Sequence, residues 1–483
     1  MVSISNSVAL EQANPVATAA GFPADLLVSL DRSRKRGLSA QLERELRAAI
    51  QDGRLAPGTA LPPSRTLAQE LGVSRTVVVE AYGHLVADGY LEARQGSGTR
   101  VRPVAVTEPG RAVRAVARAP IATFVGGLPD PACFPRREWQ RHYRAALQAL
   151  PDPALAYPGP HGALALRTAL SSYLRRVRGV VSEPGRMLVT SGFTQALVLT
   201  CRALRARGAR AMAVEDPCFG FHRHAIEAAG LAAVPVPVDE HGIVVDRLAE
   251  QSVAAVLVAP AHSYPSGAVL GADRRAAIVD WARQCEALVV EDDYDAEFRY
   301  DRSAVGALQG LAPDRVAYAG CASKTLTPAL RLGWIAPPDW LADDLAREKL
   351  FDDMGSALLE QLALARMIES GGFTRHLRRV RPIYRRRRDA AVGAIASSLP
   401  GATTTGVEAG LHVHVELPPG TDERRVVDAA RDQGVLVEGG AWHWADEASA
   451  PPSLVIGYAS MTEPAIRRGL SVLGRALSAE QQL

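Results

Sequence analysis

Lysine is almost missing from this chain. Of its 55 basic residues only Lys35, Lys324 and Lys349 are lysines, and arginine takes every other cationic position. Long apolar runs are missing too: "VAAVLVAPA" and "LAAVPVPV" fall well short of the roughly 18 residues of a membrane helix, and proline interrupts both. No membrane span is expected. The opening "MVSISNSVALEQANPVATAAGF" has neither the basic start nor the apolar core of a secretory signal, so a cytoplasmic protein is expected. Cys133, Cys201, Cys218, Cys285 and Cys321 are scattered and odd in number, without a C-x-x-C pair. They predict ordinary reduced thiols, and neither a disulfide frame nor a metal site.

What is present is a long chain of ordinary globular composition. Its 483 residues exceed what one hydrophobic core organises, and with 47% hydrophobic and 22% charged residues two or more soluble domains are expected. The net charge of +3 is unevenly spread: residues 1 to 118 carry 15 basic against 11 acidic side chains, so the positive balance sits at the front. A stretch of small residues, prolines and arginines without amphipathic period then separates two parts. The expected division is a module over 30–102, a linker over 103–120 and a body over 121–483, the body's larger part spanning about 165–365 and its smaller part about 366–483.

In the front module, "LSAQLERELRAAIQDG" places Leu38, Leu42, Leu46, Ala49 and Ile50 on one helical face, and Gly53 supplies a stop. Ser64 is positioned to cap a second helix bearing Leu67, Ala68 and Leu71. Gly72 makes a turn, and Ser74 caps a third helix with Val78, Ala81, Tyr82 and Leu85 inward. Helix, glycine turn, helix is the helix-turn-helix pattern. "YLEAR" and "TRV" around "QGSG" predict a β-hairpin wing. A small helical domain for protein contacts would show the same apolar spacing; polar chemistry at groove-facing positions favours DNA. Arg65 precedes the first motif helix, Ser74, Arg75 and Thr76 open the second, and Gly96 and Ser97 sit at the wing tip. Residues that start a recognition helix reach base edges, while other contacts hold phosphates. Over about residues 38 to 101 the run resembles the winged helix-turn-helix of GntR-type bacterial regulators, which implies a double-stranded DNA operator as partner. It departs at Val79, where some members carry another basic contact.

From about residue 185, "RMLVT", "AMAVED", "AAVPVPV", "AAVLVAP", "ALVVEDD" and "RVAYAGCA" alternate with amphipathic stretches. Near-continuous apolar strands between helices predict an α/β fold with a mostly parallel sheet, whose ligands sit at the carboxyl ends of strands. Polar residues stand at those ends. "LVTSGFTQAL" turns through Gly192, Phe193 and Thr194 into a helix whose free N–H groups form an anion cradle. "VEDPCFGF" ends in Phe219, which is either core packing or a plate for a planar ligand. "LVVEDDYDAEFRY" sets Glu291, Asp292 and Asp293 on an apolar strand, followed by Tyr294. Buried carboxylates need a cation or a protonated nitrogen, and a structural ion pair with Arg299 or Arg302 is the alternative to a ligand.

Lys324 stands in "GCASKTLTPALRLGW". Lys35 lies in the basic cluster "RSRKR", and Lys349 is expected on an exposed helix, where arginine would serve as well. A primary amine condenses with a carbonyl and a guanidinium does not, so Lys324 is the cation arginine cannot replace. Arg331, seven residues on, offers a permanent cation for a phosphate. Amine, carboxylate, phenol, aromatic plate, anion cradle and arginine together match the needs of pyridoxal phosphate.

With "FVGGLPDPACFPRREWQR", "YPGPHGALALRTALSSYLRRVRGV", "AHSYPSG", "SKTLTPALRLG" and "RHLRRVRPIYRRRRDA", residues 121 to 483 resemble a fold-type I aminotransferase, and the whole chain resembles the MocR/GabR subfamily of GntR regulators. The resemblance implies an α+β winged helix-turn-helix followed by an α/β body with a smaller C-terminal α+β subdomain. It further implies pyridoxal 5'-phosphate as cofactor and a homodimer. Lys324 would then carry the cofactor as a Schiff base, Asp292 would face the pyridine nitrogen, with Asp293 the neighbour to consider, and Tyr294 and Tyr264 would approach the phenolic oxygen. Phe219 would stack, and Ser323, Arg331 and the turn from Gly192 to Thr194 would hold the phosphate. Some positions depart from the pattern. Cys321 replaces a hydroxyl residue, Ser263 stands where glutamine is frequent, and "PSLVIGYASMTEPAI" lacks an arginine for a substrate carboxylate. "GGAWHWADEA" brings Trp442, His443 and Trp444, which either shape an effector pocket or pack. The expected function is a transcription regulator, not an enzyme, that senses an amine, an amino acid or pyridoxal phosphate itself. The alternative is an active aminotransferase with an appended DNA-binding domain, against which the missing arginine argues.

Overall fold

The computed structural model describes residues 30–31, 37–94, 98–103, 120–300, 306–406 and 408–482. The chain divides into two compact units, Met1–Arg118 and Ala119–Leu483.

The first unit runs α1 (Leu38–Gln51), β1 (Ala60–Leu61), α2 (Ser64–Glu70), α3 (Arg75–Ala87), β2 (Leu91–Arg94) and β3 (Gly98–Val101). Apolar residues at three- and four-residue spacing build its core. Leu42, Leu46, Ala49 and Ile50 of α1 pack with Leu67 and Ala68 of α2 and with Val78, Ala81, Tyr82 and Leu85 of α3. Each fully buried leucine contributes about 2 kcal/mol, so this small core is enough to hold three short helices together. The caps differ from expectation. Ser64 is the first residue of α2, behind Pro63, and Ser74 does stand at the N-cap of α3, yet neither cap position makes a side-chain cap bond. Ser64 Oγ instead lies 3.4 Å from Arg75 Nε, which donates to it and so links the two helices. In the wing β2 and β3 pair antiparallel, Leu91 opposite Val101. The short β1 adds a third strand against β3, which the sequence reading did not include. Gly96 and Ser97 at the expected tip, and all but the ends of the expected linker, lie outside the described residues.

The second unit opens with β4 (Ala122–Phe124), α4 (Arg136–Ala149) and α5 (Leu164–Arg178). Then follow β5 (Leu188–Thr190), α6 (Phe193–Ala206), β6 (Ala211–Asp216), α7 (Gly220–Ala228), β7 (Ala232–Asp239), β8 (Gly242–Ile243) and α8 (Val245–Ala249). After β9 (Ala255–Val258), α9 (Ala272–Gln284), β10 (Leu288–Asp293), β11 (Val316–Cys321) and β12 (Gly333–Ala336) come α10 (Asp339–Asp353), α11 (Leu358–Glu369) and α12 (Gly372–Ser398). The chain closes with β13 (Thr403–Thr405), β14 (His412–Glu416), α13 (Glu423–Asp432), β15 (Val435–Gly439), β16 (Ser453–Gly457) and α14 (Glu463–Glu480).

The larger sheet has the order β5-β12-β11-β10-β9-β6-β7-β8. Strands β11, β10, β9, β6 and β7 run parallel, whereas β12 and β8 pair antiparallel with their neighbours. All six residues of β10 and of β11 are buried, as strands covered on both faces must be. The smaller sheet, β13-β14-β16-β15-β4, draws its last strand from the start of the unit: β4 pairs parallel with β15. Ala122 and Phe124 are thereby tied into the C-terminal core across some 300 residues of sequence.

Candidate functional site

Parallel strands bring their carboxyl ends to one edge, and five of them deliver the site. β5 leads into Gly192 and α6, β6 into Phe219, β9 into the loop that reaches Tyr264, β10 into Tyr294, and β11 into Ser323 and Lys324. A cavity of about 180 Å³ lies between these ends. Phe193, Thr194, Phe219, Tyr264, Asp292, Tyr294, Ser323, Lys324 and Arg331 all line it. Gly192 borders it as the N-cap of α6, with φ +121. A Cβ at this position would lie 2.9 Å from Arg331 Nη2, so glycine lets the guanidinium close over the helix start, where N–H groups lack helical acceptors. Arg331 itself has φ +50, a left-handed conformation uncommon for a side-chain-bearing residue.

The three acids of β10 part company. Glu291 points away from the cavity and accepts the backbone N–H groups of Leu308 and Gln309 at 2.8 and 2.9 Å. Asp293 is held by Arg178 through two bonds of 2.7 and 3.0 Å and accepts the Tyr318 hydroxyl at 2.6 Å. The partner is therefore 115 positions away and not a sequence neighbour. Asp292 faces the cavity. Its Oδ1 is buried with no hydrogen-bond partner among the described residues, and Oδ2 lies 3.9 Å from His222 Nε2. Burial first and the adjacent Asp293 second push its carboxyl well above the usual range, with Lys324 opposing. His222 cannot neutralise it, since burial drives that imidazole down to about 3.

The remaining groups surround these. Burial raises the Tyr294 phenol well above its ordinary value, and its hydroxyl sits 3.1 Å from His262 Nδ1, which is 2.9 Å from Asp295 Oδ2. Phe219 meets His222, Tyr264 and Trp442 edge-on, at ring separations of 5.3, 5.5 and 5.7 Å. At the back, Glu215 accepts from Ala259 N and Ser263 Oγ, both at 3.2 Å, and burial pushes it up to about 7. Lys324 is half-buried, close against Gly127.

Several of these residues escaped the sequence reading. His222 stands three positions after Phe219, one helical turn on, and that spacing was a usable signal. Gly126 and Gly127 sat in a resembling stretch without being singled out. Nothing in linear order points to Glu215, or to Glu438 of β15, which accepts from the Tyr264 hydroxyl at 3.4 Å. Lys349 is a plain correction: it is wholly buried, not exposed, and bonds Asp353 and Ser356 Oγ. A carboxylate one helical turn on and a hydroxyl beyond it satisfy an ammonium on the inner face of α10. In the first unit Arg65, Ser74, Arg75 and Thr76 are all exposed, at the starts of α2 and α3.

Fold and site define a winged helix-turn-helix module joined to an aminotransferase-like body. Residues 38–101 match the gntR family of bacterial regulatory proteins, and residues 136–473 match aminotransferase class I and II. The chain is 32% identical to the "HTH-type pyridoxine biosynthesis transcriptional regulator PdxR" of Corynebacterium glutamicum, over 94% of this chain and 99% of that one. It is also 32% identical to the "Probable rhizopine catabolism regulatory protein MocR" of Rhizobium meliloti, over 94% of this chain and 96% of that one. Among solved structures, a multiple substrate aminotransferase from Thermococcus profundus aligns with a TM-score of 0.70 at 25% identity, covering 76% of this chain and 93% of its own. This chain belongs to the MocR/GabR subfamily of GntR-type regulators and is a transcription regulator with an aminotransferase-like body. The aminotransferase class I and II fold in general works with pyridoxal phosphate. Among the described residues no helix is long and apolar enough to cross a membrane.

Proposed function

We propose that the body binds pyridoxal 5'-phosphate at Lys324 and that an effector arriving there changes operator binding by the winged module. The observation that carries the reading is Asp292 Oδ1, buried without a hydrogen-bond partner among the described residues, in a cavity that also holds a primary amine. A buried carboxylate without a partner is costly, and a protonated ring nitrogen is the complement it lacks. The residues fit the cofactor. Pyridoxal phosphate supplies an aldehyde that condenses with primary amines and a ring that draws electrons from the bond formed.

This chain's residues do the rest. Lys324 Nζ provides the amine, and Asp292 holds a proton with the ring nitrogen. Phe219 covers a ring face, and Tyr264 and Tyr294 hold the phenolic oxygen. Ser323, Arg331 and the Gly192–Thr194 turn bind the phosphate, combining a helix start with a guanidinium. Arg65, Ser74, Arg75 and Thr76 bind operator DNA, with Gly96 and Ser97 proposed for the wing tip. An effector regulates only through different affinities for two states of the protein, so its binding and operator binding are reciprocally coupled.

The reading includes a homodimer acting in the cytoplasm, where a regulator meets DNA. In support, Tyr157 is 79% exposed and Phe351 80% exposed, beside the junction where the Pro158–Gly159 turn meets Gly355 after α10. Large apolar side chains left open in this way suit a partner surface. The test is Lys324→Ala. It is expected to lose the visible absorbance of the reconstituted chain and the response of operator binding to effector, while operator binding itself persists. Retained effector response in a colourless variant would overturn the proposal.

A further inference from the structure

The effector's own chemistry can be read from the corner of the cavity beside Lys324. That corner is closed by the smaller sheet. A Cβ on Gly126 would lie 2.4 Å from Tyr264 Oη and 3.1 Å from Val455 Cγ1, while one on Gly127 would lie 2.7 Å from Lys324 Nζ. Opposite Val455 in the sheet stands Glu438. Its Oε2 accepts from Tyr264 Oη at 3.4 Å and its Oε1 accepts from Trp442 Nε1 at 2.8 Å; burial pushes its carboxyl above the usual range, and the bonds from Trp442, Gly126 and Tyr264 and the Lys324 charge oppose that, as a bound cation would. Directly behind Tyr264, which lines the cavity, this corner therefore carries a carboxyl group and no cation among the described residues.

Among the described residues no neighbouring cation reverses that sign. Among the described residues lining the cavity, Lys324 and Arg331 are the basic side chains besides His222, and the proposed function engages both. Arg223 donates to the carbonyl oxygens of Trp442, His443 and Trp444, so its guanidinium is consumed. His443, with Nε2 3.5 Å from Glu438 Oε1, is wholly buried and neutral, and neither ring nitrogen makes a hydrogen bond among the described residues. The rim beyond is aromatic. Phe221, 60% exposed, meets Trp442 edge-on at 5.3 Å, and Phe219 lies behind. A carboxylate set among aromatic rings is the chemistry that recognises organic cations, and it repels a second carboxylate.

We propose that the site takes primary amines bearing a second protonated nitrogen, the diamine and polyamine class, and rejects amino acids, with Glu438 the specificity-determining residue. This rests on the cofactor reading above and narrows it. The test uses the full chain loaded with pyridoxal phosphate and three probes of one length: 1,4-diaminobutane, 1-aminobutane and 4-aminobutanoate. The readout is the concentration at half-change of the visible absorbance. The diamine is expected to act at about tenfold lower concentration than 1-aminobutane, with 4-aminobutanoate weakest. Glu438→Gln is expected to erase the diamine's advantage. A native chain that prefers 4-aminobutanoate, ranks the three equally or answers none of them overturns the proposal, as does a Glu438→Gln variant that keeps the native order. These outcomes leave the cofactor reading standing, whereas a chain that takes up no pyridoxal phosphate at all removes both.

Discussion

A Cβ on Gly127 would stand 2.7 Å from Lys324 Nζ and 3.3 Å from its Cε, so the loop after β4 is the seat of the lysine. Gly127 also has φ +69, a conformation that costs an L side chain about 1–2 kcal/mol. Gly127→Ala is therefore expected to weaken pyridoxal phosphate uptake by about tenfold, because the added methyl displaces Lys324 Nζ. Absorbance titration checks the uptake, and a thermal melt should move by only a few degrees.

Much of this site was legible because a buried parallel sheet writes itself plainly: runs such as "LVVEDD" and "VAYAGC" announce strands, and polar residues after them mark the ligand edge. Lys324 stood out because the chain uses lysine so rarely. What linear order hides is pairing at a distance. Asp293 meets Arg178 from α5, Ala122 and Phe124 join a sheet made of C-terminal strands, and Glu438 reaches Tyr264 from the last third of the chain. Lys349 misled because "LAREKLFDD" reads as an exposed helix, while Asp353 one turn on and the Ser356 hydroxyl beyond it satisfy the buried ammonium.

The Arg178–Asp293 pair is almost fully buried, with side chains 6% and 3% exposed. Removing one partner leaves an uncompensated charge, so Arg178→Met is expected to destabilise the body by about 3–5 kcal/mol in urea unfolding. The double variant with Asp293→Asn should recover part of that loss. A loss below 1 kcal/mol for the single variant would contradict the pairing.

Glu215 carries a pH signature. Burial raises its folded pKa from the usual carboxylate range to about 7, so the folded state favours the protonated form. Its contribution is fully present in acid and erodes as pH rises toward 7 and beyond. Glu215→Gln avoids that erosion: its stability relative to the native chain is expected to improve by about 2–3 kcal/mol between pH 5 and pH 8, read by denaturant unfolding at both. A difference that stays constant between them contradicts the burial argument.

Arg75, exposed at the start of α3, is expected to reach a base edge. Arg75→Ala should weaken binding to an operator selected from random-sequence DNA by about 1–3 kcal/mol, leaving cofactor absorbance as it was. Fluorescence anisotropy at fixed salt measures the first and a spectrum the second. Unchanged affinity would move the recognition surface elsewhere on the module.

The central claim is that one of three lysines holds the cofactor, and peptide mapping tests it most directly. The chain is loaded with pyridoxal phosphate, reduced with borohydride, digested and sequenced by mass spectrometry. The account predicts a single pyridoxyl label on Lys324. A label on Lys35 or Lys349, or none after loading, would contradict it.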